Sequence, residues 1–562
     1  MQQLAGRSRF QLNTATQVPA ASRNGGRVTR RGAELFLGKS TFHAVGLNAY
    51  WLGLDENVDP SPSFPAKARV LEAFAVAAAM GATMVRSQTL GISYGTSLSI
   101  ENALNVFKPD GDPAWDALDF AVFAARSYGL KLILPLADHG IPTFLRWRNL
   151  SANDYSPFYD LSSQVYADFE LYIRTLLNHT SPYTNLTLAS DPTVLAFETG
   201  NELGGWTGSH YAPPVAWTRS IAQLLKQLSP DALVISGTYG VKQAELSIAE
   251  IDLVSDHFYP LSTRRLAHSA KAAATSRLDP KAFLVGEYDW TNKAYESWRF
   301  AWFILLLPVA IALVLLFITP SRWWPRTTTL RRLLTCGQRS RRRPAWARRV
   351  GELPSADGRT SPTVPLDSPN KDFSTLSDRL PILDPDSSYP PPRPDRQPGH
   401  GDSSSILDRP LTIKRWHLAP IPFLVFLPVL IPLLITYLPS AIGPFLSRLA
   451  VDQSPSDGSP RVAGDLWWSL FGRNDACTAY VQHNDGYTLH YPAFSNGSAI
   501  SGAFTSDGSG ARVLDLVRHA WGVRGETPFW LSDPSSSISW DTLPTVPCPQ
   551  TPLRWPNGSA IQ

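Results

Sequence analysis

An alternation of short apolar runs with helical patterns fills the first half of the chain and constrains its fold more than any other feature. Seven short, apolar, β-rich runs predict strands at residues 42–47, 83–86, 131–136, 194–198, 232–236, 253–256 and 283–287. Helical patterns lie between them, at residues 67–80, 115–128, 163–177 and 214–228. Strands that alternate with helices indicate a parallel sheet.

Seven strands are one short of a closed eight-stranded barrel. An eighth candidate lies at residues 462–468, far beyond the seventh. The sequence therefore predicts an α/β fold, a (β/α)8 TIM barrel that is interrupted between strands seven and eight.

The interruption contains two apolar segments of membrane-spanning length. Residues 300–318 form a run of nineteen without a charge. A second uncharged stretch covers 418–438 and carries Pro420, Pro422, Pro428 and Pro432, which are tolerated in membrane helices. Because about 20 apolar residues cross a bilayer core, both segments predict transmembrane helices, with buried core helices as the alternative.

Charge between the two apolar segments predicts their orientation. Residues 322–349 carry ten Arg and no acid, and Lys414 and Arg415 precede the second segment. The positive-inside rule makes this loop cytoplasmic, and its Pro-, Ser- and Asp-rich composition predicts disorder. Although a basic run of this kind suits nucleic acid, its place beside an apolar segment favours a membrane flank, so no nucleic-acid partner is expected.

The resulting organisation has six parts. They are a basic N-terminal segment (1–27), barrel strands one to seven (28–297), a transmembrane helix (298–320), a disordered cytoplasmic loop (321–416), a second transmembrane helix (417–446), and strand eight with a C-terminal segment (447–562). Both barrel parts then lie on the exoplasmic side. No signal peptide is recognisable before residue 31, so an incomplete start of the sequence is expected.

Glycosylation sequons and cysteines agree with an exoplasmic barrel. All five sequons fall in the two barrel parts and none in the loop, at Asn149, Asn178, Asn185, Asn496 and Asn557. Cys477 and Cys548 are able to form a disulfide there, whereas Cys336 lies in the loop.

Two carboxylates at the ends of predicted strands suit glycosidic bond cleavage. Glu202 follows strand four in Asn201-Glu202, and Glu287 ends strand seven. One carboxyl must donate a proton to the leaving oxygen while the other, ionised, attacks the anomeric carbon. Arg86 is placed to keep Glu287 ionised, and Glu198 is either a barrel residue bonded to Arg86 or a site residue.

Further polar and aromatic residues follow other strand ends. We expect them to bind or position the substrate: Trp51, Asp138, His139, Asn201, His257, Tyr259 and Trp468. A single such residue is usually structural, but Arg86, Glu202, His257, Glu287 and Trp468 stand at strands two, four, six, seven and eight in order. We find no nucleotide-binding loop and no metal-ligand spacing, and expect no cofactor or metal.

These motifs resemble glycoside hydrolase family 5. The run Val45-Gly46-Leu47-Asn48-Ala49-Tyr50-Trp51-Leu52 resembles the opening strand of its fungal-type endo-β-1,4-mannanases, Gly200-Asn201-Glu202 with the preceding strand resembles their fourth, and Gly464-Asp465-Leu466-Trp467-Trp468 their eighth. The resemblance covers about residues 28–297 and 460–524.

The resemblance implies a retaining mechanism on a β-linked polysaccharide, mannan first and β-glucan second. It implies Glu202 as acid/base, Glu287 as nucleophile, Arg86 and Asn201 in the subsite, His257 and Tyr259 as positioning groups, and Trp468 as stacking platform. The chain departs from the family in Asp138-His139 after strand three and in the insertion, which is expected to replace or displace the helix between strands seven and eight.

The insertion also predicts where the active site lies. About a dozen residues separate strand seven from the first apolar segment, and at ~3.5 Å each they limit this tether to roughly 45 Å. The catalytic mouth is therefore expected near the membrane. Two alternatives remain: a catalytically inactive glycan-binding membrane sensor, and a secreted hydrolase in which the hairpin is an error of the coding sequence.

Overall fold

A computed structural model gives the fold of this chain. It describes residues 26–138, 140–205, 212–275, 279–293, 295, 297, 441–453, 462–475, 479–491, 509–531 and 533–546. His139, all three cysteines, the sequons at Asn496 and Asn557, and residues 298–440 lie outside the described residues.

Eight parallel strands form a closed barrel, which confirms the predicted α/β barrel. In chain order they are β1 Ala44–Asn48, β2 Met84–Arg86, β3 Lys131–Pro135, β4 Val194–Glu198, β5 Leu233–Ser236, β6 Leu253–Phe258, β7 Ala282–Tyr288 and β8 Gly464–Trp468. Every residue of β1 to β7 is buried. Burial on both faces explains why these strands read as continuous apolar runs without alternation.

Strand β8 closes the barrel from the far side of the insertion. It pairs in parallel with β7, where Leu284 lies opposite Gly464, and with β1, where Asn48 lies opposite Trp468. The prediction that the eighth strand follows both apolar segments is therefore confirmed. Strand β8 brings Trp468 to the same end of the barrel as the carboxyl ends of the other strands.

Helices cover the outside of the barrel. The longer ones are α1 Lys67–Ala79, α2 Pro113–Ser127, α3 Gln164–Asn178, α4 Val215–Leu228, α5 Thr263–Ala274, α6 Ile442–Gln453 and α7 Ser509–Arg524, and two short helices, Ile141–Trp147 and Ser156–Tyr159, lie between α2 and α3. Helices α1 to α4 begin and end within two residues of the predicted helical patterns. Local signals fix some of these starts: the Asp112 side chain caps α2, which begins at Pro113, and Ser163 caps α3.

Helix α6 bears on the expectation that the insertion replaces or displaces the helix between β7 and β8, because that helix is present and follows the insertion in the chain. It occupies that place, and the Phe445 ring packs against Phe258 and Tyr288 at centroid distances of 5.4 and 5.6 Å. The predicted second membrane segment, 417–446, therefore ends too late. Three of its last five residues, Ile442, Phe445 and Leu446, are buried against the barrel.

The membrane hairpin itself is not seen in the described part of the chain. No helix among those residues combines the length and apolarity that a membrane span requires. The predicted transmembrane helix 298–320, the loop 321–416 and residues 417–440 of the second helix all lie outside the described residues.

The two barrel parts are joined by buried polar contacts. The Arg473 guanidinium lies 2.6 Å from a Glu72 carboxylate oxygen, and the backbone N–H of Ile442 donates to the Asn292 side chain at 3.1 Å. Within the second part, Asp465 of β8 accepts from Gln453 at 2.5 Å and lies 3.0 Å from His519, which ties β8 to the helices on either side of it. The residues after the insertion are therefore an integral part of the barrel.

Candidate active site

The carboxyl ends of the strands bring most of the predicted site residues together. One oxygen of Glu202, one ring nitrogen of His257 and one oxygen of Glu287 all lie within 4.8 Å of one another. All three side chains are buried. These three residues are far apart in the sequence, and the barrel brings them together as a single cluster at the ends of β4, β6 and β7.

Glu202 stands in an unusual backbone conformation just beyond β4. Its φ is +51°, in the left-handed region that non-glycine residues adopt at a cost. The turn is held because the Leu203 N–H donates to the Gly237 carbonyl at 2.9 Å. Gly237 allows this approach, since a Cβ there would lie 1.9 Å from the Gly200 oxygen. The backbone after β5 thereby fixes where the Glu202 carboxyl points.

Three donors converge on the Glu287 carboxylate. Arg86 Nη1 donates to Oε1 at 2.8 Å, Gln88 Nε2 to the same oxygen at 3.3 Å, and the Tyr259 hydroxyl to Oε2 at 3.2 Å. The predicted pairing of Arg86 with Glu287 is present in the structure. Such donors favour the ionised form that a nucleophile requires.

Burial of the Glu287 carboxyl acts against these donors, because burial favours the protonated form. It raises the pKa of Glu287 to about 7, and the neighbouring Glu202 charge adds to the rise, whereas His257 and Arg86 lower the pKa. Two carboxyls this close share their titration. Burial and the surrounding donors therefore act in opposite directions on the charge of Glu287.

Arg86 is the centre of a buried network. Besides Glu287 it donates to Glu198 at 2.8 Å, Asn201 at 2.6 Å and Asn48 at 3.2 Å. Burial alone would lower the pKa of Arg86, but Glu198 and Glu287 more than offset it and the pKa is raised. Glu198 bonds Arg86 from inside the barrel, as one of the two predicted alternatives has it.

His257 lies between the two carboxyls. Its Nδ1 is 2.7 Å from Glu202 Oε1 and 3.6 Å from Glu287 Oε2. Burial would lower the pKa of this imidazole, but Glu287 and Glu202 raise it overall. Gly286 permits the close position of the ring, because a Cβ there would lie 2.7 Å from Nε2. The arrangement fits the expected positioning role of His257.

Asn201 faces both Arg86 and the loop after β3. Its Oδ1 accepts from Arg86, and its Nδ2 donates to Asp138 at 3.0 Å. Asp138 is thus tied to the site through Asn201. His139, predicted to bind substrate, lies outside the described residues, so its role stays a prediction.

The two predicted aromatic contacts differ in their surroundings. Trp468 ends β8 beside the cluster and is only partly buried, as a stacking platform requires. Trp51 is fully buried, and its Nε1 donates to the Leu470 carbonyl at 2.9 Å. Its ring packs on Phe471 and under the Arg69 guanidinium. The prediction that Trp51 binds substrate is therefore wrong, because protein groups cover the ring.

Sequence reasoning missed several groups that the structure adds to the site. Asn48 and Gln88 follow the same strand-end pattern as Arg86 and were within reach of that rule. Tyr50, which stacks on Trp468, and Asp485, which accepts from the Trp468 indole at 2.6 Å, carry no local signal. These two contacts depend on tertiary packing alone.

Glu202, His257 and Glu287 also place three donor atoms close enough to hold a metal ion. Their surroundings disfavour one. The Arg86 guanidinium lies 2.8 Å from Glu287, and a second cation beside it would be repelled. The chemistry of this cluster is therefore that of paired carboxyls.

Part of this chain is similar to one family of proteins and to several named relatives. Residues 133–258 match the model of a family described as GH family 5 beta-mannosidase-like, a range that contains Asn201, Glu202 and His257. Mannan endo-1,4-beta-mannosidase 2 of Oryza sativa subsp. japonica is 29% identical over 42% of this chain and 52% of its own length. Putative mannan endo-1,4-beta-mannosidase P of Arabidopsis thaliana is 28% identical over 39% of this chain and 53% of its own.

The similarity covers only part of this chain and only part of each relative. The chain spans about half the length of these curated relatives. Among solved structures, an endo-1,4-beta-mannanase from Rhizomucor miehei aligns with 47% of this chain and 82% of its own, at 19% identity and a TM-score of 0.38.

Proposed function

We propose that this chain is a retaining glycoside hydrolase that cleaves β-1,4-mannan within the polysaccharide. The observation that carries the proposal is the proximity of two buried carboxyls: oxygens of Glu202 and Glu287 lie within 4.8 Å. Retaining enzymes hold their carboxyls about 5–5.5 Å apart, whereas inverting enzymes need about 6.5–9.5 Å to admit a water. The spacing therefore favours direct attack on the sugar.

The environments of the two carboxyls suggest their roles. Glu287, held by Arg86 and Tyr259, attacks the anomeric carbon and forms a glycosyl ester. Glu202 gives its proton to the departing glycosidic oxygen, then takes a proton from the water that hydrolyses the ester. His257, in contact with both, fixes their relative position as the proton moves.

The substrate class comes from the relatives. Those cited above are named as mannan endo-1,4-beta-mannosidases. A β-mannan is therefore the proposed substrate, and β-glucan is the comparison that tests the choice of sugar.

The test is reducing-sugar release from β-mannan and β-glucan by the protein and by Glu202→Gln and Glu287→Gln. We expect activity on mannan and a loss of about 10³-fold or more in either variant, because each removes one half of the acid–nucleophile pair. Glu526→Gln, which changes an exposed carboxylate, is the matched control and should retain full activity. Activity that survives in Glu287→Gln would overturn the assignment.

Azide distinguishes the two roles. With an activated aryl β-mannoside, Glu202→Ala plus azide should yield the β-mannosyl azide, because the ester still forms and azide replaces the deprotonated water. Glu287→Ala plus azide should yield the α-azide, since azide then attacks in place of the nucleophile. The opposite products would exchange the roles, and no glycosyl azide together with retained glycan binding would favour the inactive sensor.

We further propose that residues 298–320 and 417–440 span a membrane, with 321–416 cytoplasmic and the barrel exoplasmic. The exposed side chains of Asn149, Asn178 and Asn185 are consistent with glycosylation of the barrel. In sealed microsomes we expect protease to cut 321–416 while the barrel stays protected and glycosylated. A transcript that joins the codons around Lys293 directly to those around Ala441, and so keeps α6, would instead mark a secreted enzyme.

A further inference from the structure

Trp468 lies at the end of a strand, where neighbouring residues are needed to hold its side chain in one orientation. It ends β8, beside Asn48 of β1 and Asp289 of β7, and its side chain is partly exposed. An indole that stacks on a sugar must present one face in a fixed plane, since small misplacements of the substrate cost large factors in rate. A ring at the open end of a strand has rotational freedom unless its edge and its other face are held.

The edge is held by a carboxylate. Trp468 Nε1 donates to Asp485 Oδ2 at 2.6 Å. The other oxygen, Oδ1, accepts from the Tyr487 backbone N–H at 2.8 Å, so the carboxylate is itself fixed. A hydrogen bond to a charged acceptor is stronger than one between neutral groups. Asp485 therefore sets the rotation of the indole about its side-chain bonds.

The rear face is held by a second ring. Tyr50 stacks on Trp468 with a centroid distance of 5.5 Å and an interplanar angle of 8°, an offset parallel arrangement. Its hydroxyl accepts from Asn57 Nδ2 at 2.6 Å and lies 3.1 Å from His483 Nδ1. Tyr50 is buried and Trp468 is partly exposed, so Tyr50 covers one face of the indole and the other face is the one that a substrate would use.

We propose that Asp485 and Tyr50 are positioning residues that set the plane of Trp468 as the sugar-stacking platform. The proposal rests on the proposed glycoside hydrolase function and assigns its platform two supports from different ends of the chain. Asp485 acts through a hydrogen bond and Tyr50 through its ring face. Removing either support frees the indole without touching the two carboxyls.

The first test reads the indole directly and needs no substrate. The Trp468 Nε1–H signal of ¹⁵N-tryptophan-labelled protein is assigned by its loss in Trp468→Phe. In Asp485→Ala we expect this signal to shift and its hydrogen exchange to accelerate about tenfold or more, since the charged acceptor is gone. Asp485→Asn keeps an acceptor oxygen and should retain slow exchange. An unchanged signal in Asp485→Ala would overturn the anchoring.

The second test reads the consequence for hydrolysis. Asp485→Ala and Tyr50→Ala should each lower kcat/KM on mannan about tenfold or more, while Asp485→Asn and Tyr50→Phe stay within about threefold. The pH profile should not move, because the hydrogen bonds that we describe for Asp485 and Tyr50 run to Trp468, the Tyr487 backbone and Asn57. A shifted profile, or wild-type kcat/KM in both alanine variants, would contradict the proposal.

The two tests separate this inference from the proposed function. If the parent protein releases no sugar from any glycan, the hydrolase proposal fails and Trp468 loses its role as a platform. The indole signal still decides whether Asp485 holds the ring. Asp533→Ala, which removes an exposed carboxylate with only local partners, is the control and should leave both readouts unchanged.

Discussion

The barrel is made of two stretches of chain with different duties. The first, within residues 26–297, supplies seven strands and the polar groups Arg86, Gln88, His257 and Tyr259 that hold the two carboxyls. The second, within residues 441–546, supplies the eighth barrel strand, two covering helices and the aromatic platform. The contrast shows that the reacting groups and the proposed sugar platform are encoded apart: the first stretch carries the two carboxyls, and the second carries Trp468 and the strand that closes the barrel.

Separating the two stretches should have the largest effect. We expect residues 1–297 expressed alone to show no cooperative thermal unfolding and no hydrolysis, because β1 and β7 would each keep an open edge in place of β8. Circular dichroism melting and sugar release measure this. Co-expression with residues 441–562 should restore cooperative unfolding and hydrolysis. Hydrolysis by the first stretch alone would contradict the proposal that the second stretch is needed.

A smaller effect is expected at the ion pair that joins the stretches. Arg473→Met leaves the buried Glu72 carboxylate without its closest charged partner and should cost about 3–5 kcal/mol in the free energy of unfolding. Urea titration measures the loss. Asp515→Asn, at an exposed pair within the second stretch, is the matched control and should cost less than about 1 kcal/mol.

The pH dependence of the Arg473→Met loss has a defined sign. Burial raises the pKa of Glu72 above its usual 4.5, and Arg473 opposes that rise. Without Arg473 the folded state holds the proton to higher pH than the unfolded state does. The free energy of unfolding of the variant should therefore fall as pH increases above 4.5, the usual pKa of this carboxyl, and through its raised pKa in the folded state. A loss that is constant over this range would show that Glu72 does not titrate there.

Removing residues 298–440, which lie between the two stretches, should have the smallest effect on activity. Ile442 N–H bonds the Asn292 side chain at 3.1 Å, so the flanks of the insertion lie side by side. Replacing residues 298–440 with about eight Gly and Ser residues, which span roughly 16 Å, should leave kcat/KM within about twofold. Extending the deletion through α6 is the control and should unfold the barrel. Equal loss in both deletions would mean that the insertion supports the fold.

Much of the first stretch was predictable because its signals are local. Buried parallel strands appear as apolar runs, and the residues at their carboxyl ends lie at one end of the barrel. This rule predicts from sequence alone that Arg86, Glu202, His257 and Glu287 lie close together. The same reasoning failed for Trp51, since only tertiary packing shows that Arg69 and Phe471 cover its ring.

The second stretch was harder to predict. The apolar residues of α6 continue a proline-rich apolar segment, so a helix that covers the barrel looked like the end of a membrane span. Asp485 lies seventeen residues beyond Trp468, in a loop with no periodic pattern. Contacts between distant loops leave no trace in local sequence, and they are the contacts that hold the platform.

The left-handed backbone conformation of Glu202 implies a trade-off between the stability of the fold and the proposed catalytic role of this residue. Glycine or asparagine occupies such a conformation at less cost than glutamate does, so either replacement is expected to favour the folded state while removing the proposed acid. A library of variants selected only for thermal resistance should therefore drift away from glutamate at this position. One selected for sugar release should keep it, and the difference between the two outcomes measures how much folding free energy this fold gives up for its function.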